Sequence, residues 1–174
     1  MDRFLAGVER RALRMAEFAV GNRDDALDLV QDAMIALVKK YGGRPEGEWG
    51  ALFHRILQSR IRDFHRRSRV RNRLFAWLTH SGDEEDAGDP IADIADPVAA
   101  GPAETLAGRD AVARLETALK TLPARQQQAF LLRSWEGLDV AGTAFAMGCS
   151  EGSVKTHYSR AVSRLRELLE DHWP

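Results

Sequence analysis

Between Ala76 and Gly108 the chain has no lysine or arginine and eight aspartate or glutamate residues, and this stretch limits what its 174 residues can become. The run HSGDEEDAGDPIADIADPVAAGPAET offers no apolar face wide enough to pack a helix, so residues 79–105 read as a flexible acidic linker. The parts on either side must each bury their own core. Residues 1–75 carry 16 Lys/Arg against 10 Asp/Glu, a net +6, while residues 109–174 are nearly balanced at nine against eight. A formal net charge of −1 therefore hides a basic module beside an acidic connector, an asymmetry that points to a polyanion or another charged partner.

Composition narrows the class further. With 44% hydrophobic and 29% charged residues the chain is globular rather than disordered. Charges interrupt every segment before the roughly 18 apolar residues of a membrane helix, so no membrane insertion is expected. The start, MDRFLAGVERRALRM, has charge where an export signal has its apolar core, which predicts a cytoplasmic protein. The single cysteine, Cys149, excludes an intrachain disulfide and a Cys-rich zinc site, and reads as a small core residue. No nucleophile–base pair, metal-ligand spacing or phosphate-cradling glycine loop is found. The expectation is a non-enzyme, with no catalytic residue, metal, cofactor or small-molecule substrate.

The pattern is all-α, with no strand alternation of useful length. Phe4, Val8, Leu13, Met15, Phe18 and Ala19 suit a first helix ending near Gly21-Asn22. A second spans about Asp24 to Lys40, stopped by Tyr41-Gly42-Gly43-Arg44-Pro45, and a third starts near Glu48. Beyond the linker, helical stretches are expected at roughly 105–120, 123–134, 139–147 and 151–171.

The most specific local signal is LDVAGTAFAMGCSEGSVKTHYSRAVSRLREL. Asp139 suits an N-cap for a short helix, Gly148 the left-handed turn after it, and Ser150 the cap of the next helix. That next helix has an apolar stripe of Val154, Tyr158, Ala161, Leu165 and Leu168. Its other side presents Gly152, Lys155, Thr156, Ser159, Arg160, Ser163 and Arg164. Two helices joined by a three-residue turn, the second polar and cationic outside, make a DNA-reading helix-turn-helix. Lys155, Arg160 and Arg164 can neutralise phosphates, and Ser153, Thr156 and His157 can reach base edges.

Two helices of the basic module carry further signals. In DDALDLVQDAMIALVKKY, Ala26, Val30, Ala33, Leu37 and Tyr41 form a buried stripe. Asp25, Asp28 and Asp32 share the opposite face with Gln31 and Ile35. That mixed patch suits a basic partner, although a solvated face explains the same spacing. The segment EWGALFHRILQSRIRDFHRRSRVRNRLFAW interleaves Arg55, Arg60, Arg62, Arg66, Arg67, Arg69, Arg71 and Arg73 with Trp49, Phe53, Phe64, Phe75 and Trp77. Some rings must be core, yet the arginines exceed what a solubilising surface requires and suit single-stranded or distorted nucleic acid. His54 and His65 read as surface or phosphate-facing residues.

An acidic helix, a basic aromatic helix, an acidic linker and a helix-turn-helix in that order resemble the compact extracytoplasmic-function (ECF) sigma factors of bacterial RNA polymerase, in the sigma-70 family. DALDLVQDAMIAL is similar to the family's polymerase-docking helix, LFHRILQSRIRDFHRR to its promoter-melting helix, and LPARQQQAFLLRSWEGLDVAGTAFAMGCSEGSVKTHYSRAVSRLREL to its −35-reading domain. The resemblance covers about 1–75 and 106–170. It implies a sigma domain 2 over 1–78, the linker over 79–105 and a sigma domain 4 over 106–174.

It also implies roles residue by residue. Asp28, Gln31, Asp32 and Ile35 would meet the clamp helices of the polymerase β′ subunit, with further contact to the β subunit. Arg55, Ser59, Arg62, Asp63, Arg66 and Arg67, in the helix and the loop after it, would meet and open the −10 element. Glu151, Ser153, Lys155, Thr156, Ser159, Arg160 and Arg164 would read the −35 element. The implied partners are core RNA polymerase, promoter DNA and an anti-sigma factor. The chain departs from the pattern at Ser59, where the family usually has Asn. It departs again at Ala141, Gly142 and Thr143, where two acidic residues and an Ile are usual; Gly142 costs about 1 kcal/mol of helix propensity relative to Ala. A sigma mimic that titrates an anti-sigma factor, or a stand-alone helix-turn-helix regulator, are the alternatives. A flexible linker leaves the arrangement of the two modules open.

Overall fold

The computed structural model describes residues 1–79 and 106–169, with side chains described for 1–71 and 112–169. The described residues are helical in two groups. The first holds α1 (Asp2–Val20), α2 (Arg23–Tyr41) and α3 (Glu46–Thr79). The second holds α4 (Leu106–Lys120), α5 (Ala124–Phe130), which runs on into a π-helical turn (Leu131–Trp135), then α6 (Val140–Met147) and α7 (Glu151–Leu168).

Local chemistry sets the boundaries. Gly21, at φ 73°, closes α1, with its N–H on the Glu17 carbonyl. The Asn22 side chain then caps α2 by accepting from the N–H groups of Asp24 at 2.8 Å and Asp25 at 3.2 Å. The expected helix starts and stops hold to within a few residues. One difference matters: α3 runs unbroken to Thr79, so Arg66 and Arg67 stand on a helix and not in a loop after one. The expected linker, apart from Thr79, lies outside the described residues, as does the last part of the expected final helix.

In the first group α1, α2 and α3 pack around Ala12, Ala16, Val30, Leu37, Phe53 and Leu57, all essentially without solvent contact. Small alanines on α1 and α2 let the backbones approach, while Phe53 and Leu57 fill the centre from α3. Phe4 closes one end against Trp49 and Phe53, with ring centroids 5.9 and 6.3 Å apart. The second group buries Leu119, Leu131, Leu132, Met147, Val154 and Leu165.

These cores are not separate. α3 lies against α6, and α1 against the α5–π-turn segment, so the buried residues form one continuous cluster. Gln58 of α3, 4% exposed, sits at the junction. It donates to the Met15 sulfur at 3.2 Å and accepts from Gln128 Nε2 at 2.5 Å. Buried amides that satisfy each other in this way fix how the groups meet as well as how tightly.

Candidate nucleic-acid interface

The helix-turn-helix forms as its sequence chemistry dictates. Asp139 Oδ1 accepts from the Gly142 N–H at 2.6 Å and starts α6. Gly148, at φ 65°, ends it, and the Cys149 N–H turns back to the Ala144 carbonyl at 3.1 Å. Ser150 Oγ then accepts from the Ser153 N–H at 3.1 Å to start α7. Val154, Ala161 and Leu165 face the core. Tyr158 is braced by stacking on Phe130 and by a 3.1 Å hydroxyl contact with Ser134.

On the outer face of α7, Glu151, Gly152, Lys155, Thr156, Ser159, Arg160, Ser163 and Arg164 are exposed, and Ser153 and His157 are half-buried. Thr156 spends its hydroxyl proton on the Gly152 carbonyl and Arg164 pairs with Glu167 at 2.9 Å. Lys155 and Arg160 have no carboxylate partner among the described residues. They are the face's available cations, beside small side chains that leave the backbone accessible.

The face expected to meet the −10 element is also assembled. Arg55, Ser59, Arg62, Arg66 and Arg67 are exposed on α3, and Asp63 is half-buried, 3.2 Å from Arg66. Arg66, Arg67 and Arg71 surround Val70, which is 64% exposed, leaving a shallow apolar cleft within a cationic surface. Such a surface attracts phosphates and gives an unstacked base something apolar to rest on. Two of its arginines are already engaged. Arg55 Nη1 donates to the Phe145 carbonyl at 2.5 Å, and Arg62 Nη1 to the Met147 carbonyl at 3.5 Å. Burial, with Arg125 and Arg55 nearby, lowers the Arg62 guanidinium from its ordinary value.

The histidines depart from expectation. His54 is 1% exposed, with Nε2 3.1 Å from Glu136 Oε2. His65 is half-buried, and that burial lowers its imidazole from the ordinary value against a hydrogen bond to the Ala19 backbone. Neither is a free surface residue, because α3 presents both positions to neighbouring helices.

On α2, Asp28, Gln31, Asp32 and Ile35 are exposed on one face, opposite the buried Ala26, Val30, Ala33 and Leu37. Ile35 is 51% exposed and Val38, one turn on, 46%. Val38 enlarges the apolar part of the patch and was legible as the i+3 neighbour of Ile35. Asp32 accepts from Arg60 at 2.7 Å, which leaves Asp28 as the patch's unpaired carboxylate among the described residues. Glu136, Phe145 and Arg125, which carry the junction between the groups, had no signal in the spacing. Among the described residues no cluster suits a metal ion and no helix is long and apolar enough to cross a membrane.

Family models match both groups: "Sigma-70 region 2" over residues 1–71 and "Sigma-70, region 4" over 113–165. The chain is 33% identical over 159 residues to the RNA polymerase sigma-E factor of Streptomyces avermitilis, covering 91% of this chain and 78% of that one. It is 28% identical over 169 residues to the ECF RNA polymerase sigma factor SigM of Mycobacterium tuberculosis, covering 97% and 76%. Among solved structures, the sigma factor RpoE in complex with the anti-sigma factor NepR from Bartonella quintana is similar at a TM-score of 0.63 and 26% identity, over 99% of this chain and 100% of that one. CnrH, in complex with the cytosolic domain of CnrY, shares the fold at a TM-score of 0.55 and 22% identity, over 99% and 92%.

Proposed function

The chain belongs to the sigma-70 family, as an RNA polymerase sigma factor of the ECF type, and from that premise we propose which of its surfaces does what. Its function is promoter-specific initiation of transcription. Sigma factors are DNA-binding initiation factors and not enzymes, so the work is done by binding free energy.

The observation that carries the assignment of surfaces is the separation of charge on the two faces. α2 offers carboxylates around an apolar centre, while α3 and α7 offer cations. Asp28, Gln31, Asp32 and Ile35, with Val38, dock core RNA polymerase through the β′ clamp helices, and the β subunit takes the second module. Arg55, Ser59, Arg62, Asp63, Arg66 and Arg67 hold the −10 element as it opens. Unstacking is offset by phosphate contacts and by bases resting against the α3 surface, so affinity falls steeply with salt. Glu151, Ser153, Lys155, Thr156, Ser159, Arg160 and Arg164 read the −35 element in the major groove. Residues 1–78 and 106–174 act as the two domains and 79–105 as their acidic connector, in the cytoplasm where polymerase works. An anti-sigma factor is the further partner, on the likeness to RpoE bound to NepR. The sigma-mimic and stand-alone-regulator readings are not favoured, since both DNA-facing surfaces and the docking patch are present together.

The test is binding of the purified protein to bacterial core RNA polymerase beside an Asp28→Arg variant. Asp28 is chosen because Asp32 is tied to Arg60 and its reversal would disturb α3. Tight binding by the parent and loss in the variant supports the docking face. Equal binding by both sends that face back to a solvated surface.

A further inference from the structure

We infer that the free subunit is latched shut by its own helix-turn-helix: the C-terminal carbonyls of α6 hold Arg55 and Arg62 where DNA phosphates would otherwise take them, and Glu136 locks that contact. This rests on the reading of Arg55 and Arg62 as −10 contacts.

The last carbonyls of a helix have no intrahelical donor and sit at the negative end of its dipole. They present to a guanidinium what a phosphate oxygen presents, a lone pair in a negative field. Three arginines converge there. Arg55 reaches the Phe145 carbonyl, Arg62 the Met147 carbonyl, and Arg125 the same Met147 oxygen at 3.0 Å. The Arg55 guanidinium also lies 4.7 Å from the Phe145 ring centroid. A guanidinium seated on α6 is not available to a backbone phosphate, and α6 occupies the space that a strand on this part of α3 would need. DNA and α6 therefore compete for one surface.

The lock stands at the other end of the junction. Glu136, just past the π-helical turn, puts its carboxylate between α1 and α3. There it meets His54 at 3.1 Å and Arg11 at 3.3 Å, with the His54 and Glu136 side chains both 2% exposed. Arg14 of α1 reaches across to Glu116 of α4 in the same way, and Phe18 meets Trp135 edge-on. The junction is thus rich in ionic and amide contacts, a composition typical of interfaces that open and close. It is also imperfect. His54 Nδ1 is buried without a partner, and three guanidiniums crowd one helix end, so the closed state carries costs that opening removes. Polymerase engaging the first group, or DNA at higher local concentration, has a poised contact to displace.

The experiment uses the full chain with dyes at Lys40→Cys and Lys120→Cys in a Cys149→Ser background. Energy transfer reads the separation of the groups. Fluorescence anisotropy with a labelled forked duplex of mixed sequence reads DNA affinity without polymerase. Glu136→Ala and, independently, Phe145→Ala should lower energy transfer and raise affinity for the fork roughly tenfold, the gain expected if the open state is about one-tenth populated in the parent. Circular dichroism melting identifies a variant that has lost its fold, and the other then decides. Low energy transfer in the parent, transfer unchanged in the folded variants, or opening without a gain in affinity would each overturn the latch. Binding to core polymerase, measured on the same samples, separates the two readings. Its absence in the parent strikes the functional assignment, while an open parent that still binds polymerase strikes the latch alone.

Discussion

Arg55 and Phe145 are joined twice, by a 2.5 Å hydrogen bond from the guanidinium to the Phe145 carbonyl and by the ring lying 4.7 Å beneath that guanidinium. One residue stands on the long basic helix and the other on the first helix of the helix-turn-helix, 90 positions later. The contact couples the two groups through a side chain that nucleic acid also wants. Removing the ring leaves the carbonyl in place, so Phe145→Ala isolates the cation–π part, about 0.5–1 kcal/mol for a partly exposed pair. Chemical denaturation should register a loss of about that size, and a larger one would assign the ring a core role.

Docking through α2 predicts a separation of binding from stability. Asp28→Arg should weaken core polymerase binding by at least about tenfold, as a charge reversed against a complementary face does. Because Asp28 is exposed and unpaired among the described residues, the urea midpoint should correspond to a change within about 0.5 kcal/mol. A large drop in stability would mean that the face is structural.

The α7 face predicts a salt signature. Lys155→Ala and Arg160→Ala should each lessen the slope of log affinity against log salt by about 1, the release of one counterion per lost phosphate contact. Retention of the full slope in both variants would remove them from the phosphate-contacting set.

At the start of α6 the cap outweighs propensity. Asp139→Ala should cost about 1 kcal/mol, because the Gly142 N–H loses its acceptor. Gly142→Ala should not recover the roughly 1 kcal/mol that helix propensity promises. A Cβ there would stand 3.0 Å from Asp139 Oδ1 and push the cap away. Thermal melting of both variants checks the pair, and a clear gain from Gly142→Ala would show that the cap yields.

His65 predicts how stability follows pH. Its burial, with Arg69 adding and the Ala19 backbone opposing, lowers the folded-state value, while the unfolded chain titrates near the ordinary value of about 6.5. In the window between them the unfolded state binds more protons, so stability rises with pH. The contribution is complete above about pH 6.5 and is lost as pH falls through the depressed folded value. Urea midpoints at about pH 7.5 and about pH 5 should differ less in His65→Gln than in the parent, and an equal difference would clear His65 of the effect.

How much of this was legible depends on the range of the interaction. Asp139, Gly148 and Ser150 were readable as caps and turn because each acts on backbone groups within a few residues of itself. The buried stripe of Ala26, Val30, Ala33 and Leu37 was readable because helical periodicity is a local property. Those two facts, with the charge asymmetry, were enough for the helices, the exposed cations of α7 and the acidic patch of α2. His54 was misread for the opposite reason. Nothing near it in sequence distinguishes a buried histidine from a surface one, since its partner, Glu136, lies 82 positions away. Sequence by itself thus determined which faces of each helix are apolar, acidic or basic. Only the tertiary structure decided that α6 turns its carbonyls toward Arg55 and Arg62, because packing across the long acidic stretch is governed by how Gln58, Gln128, His54 and Glu136 meet, and spacing along a chain carries no record of that.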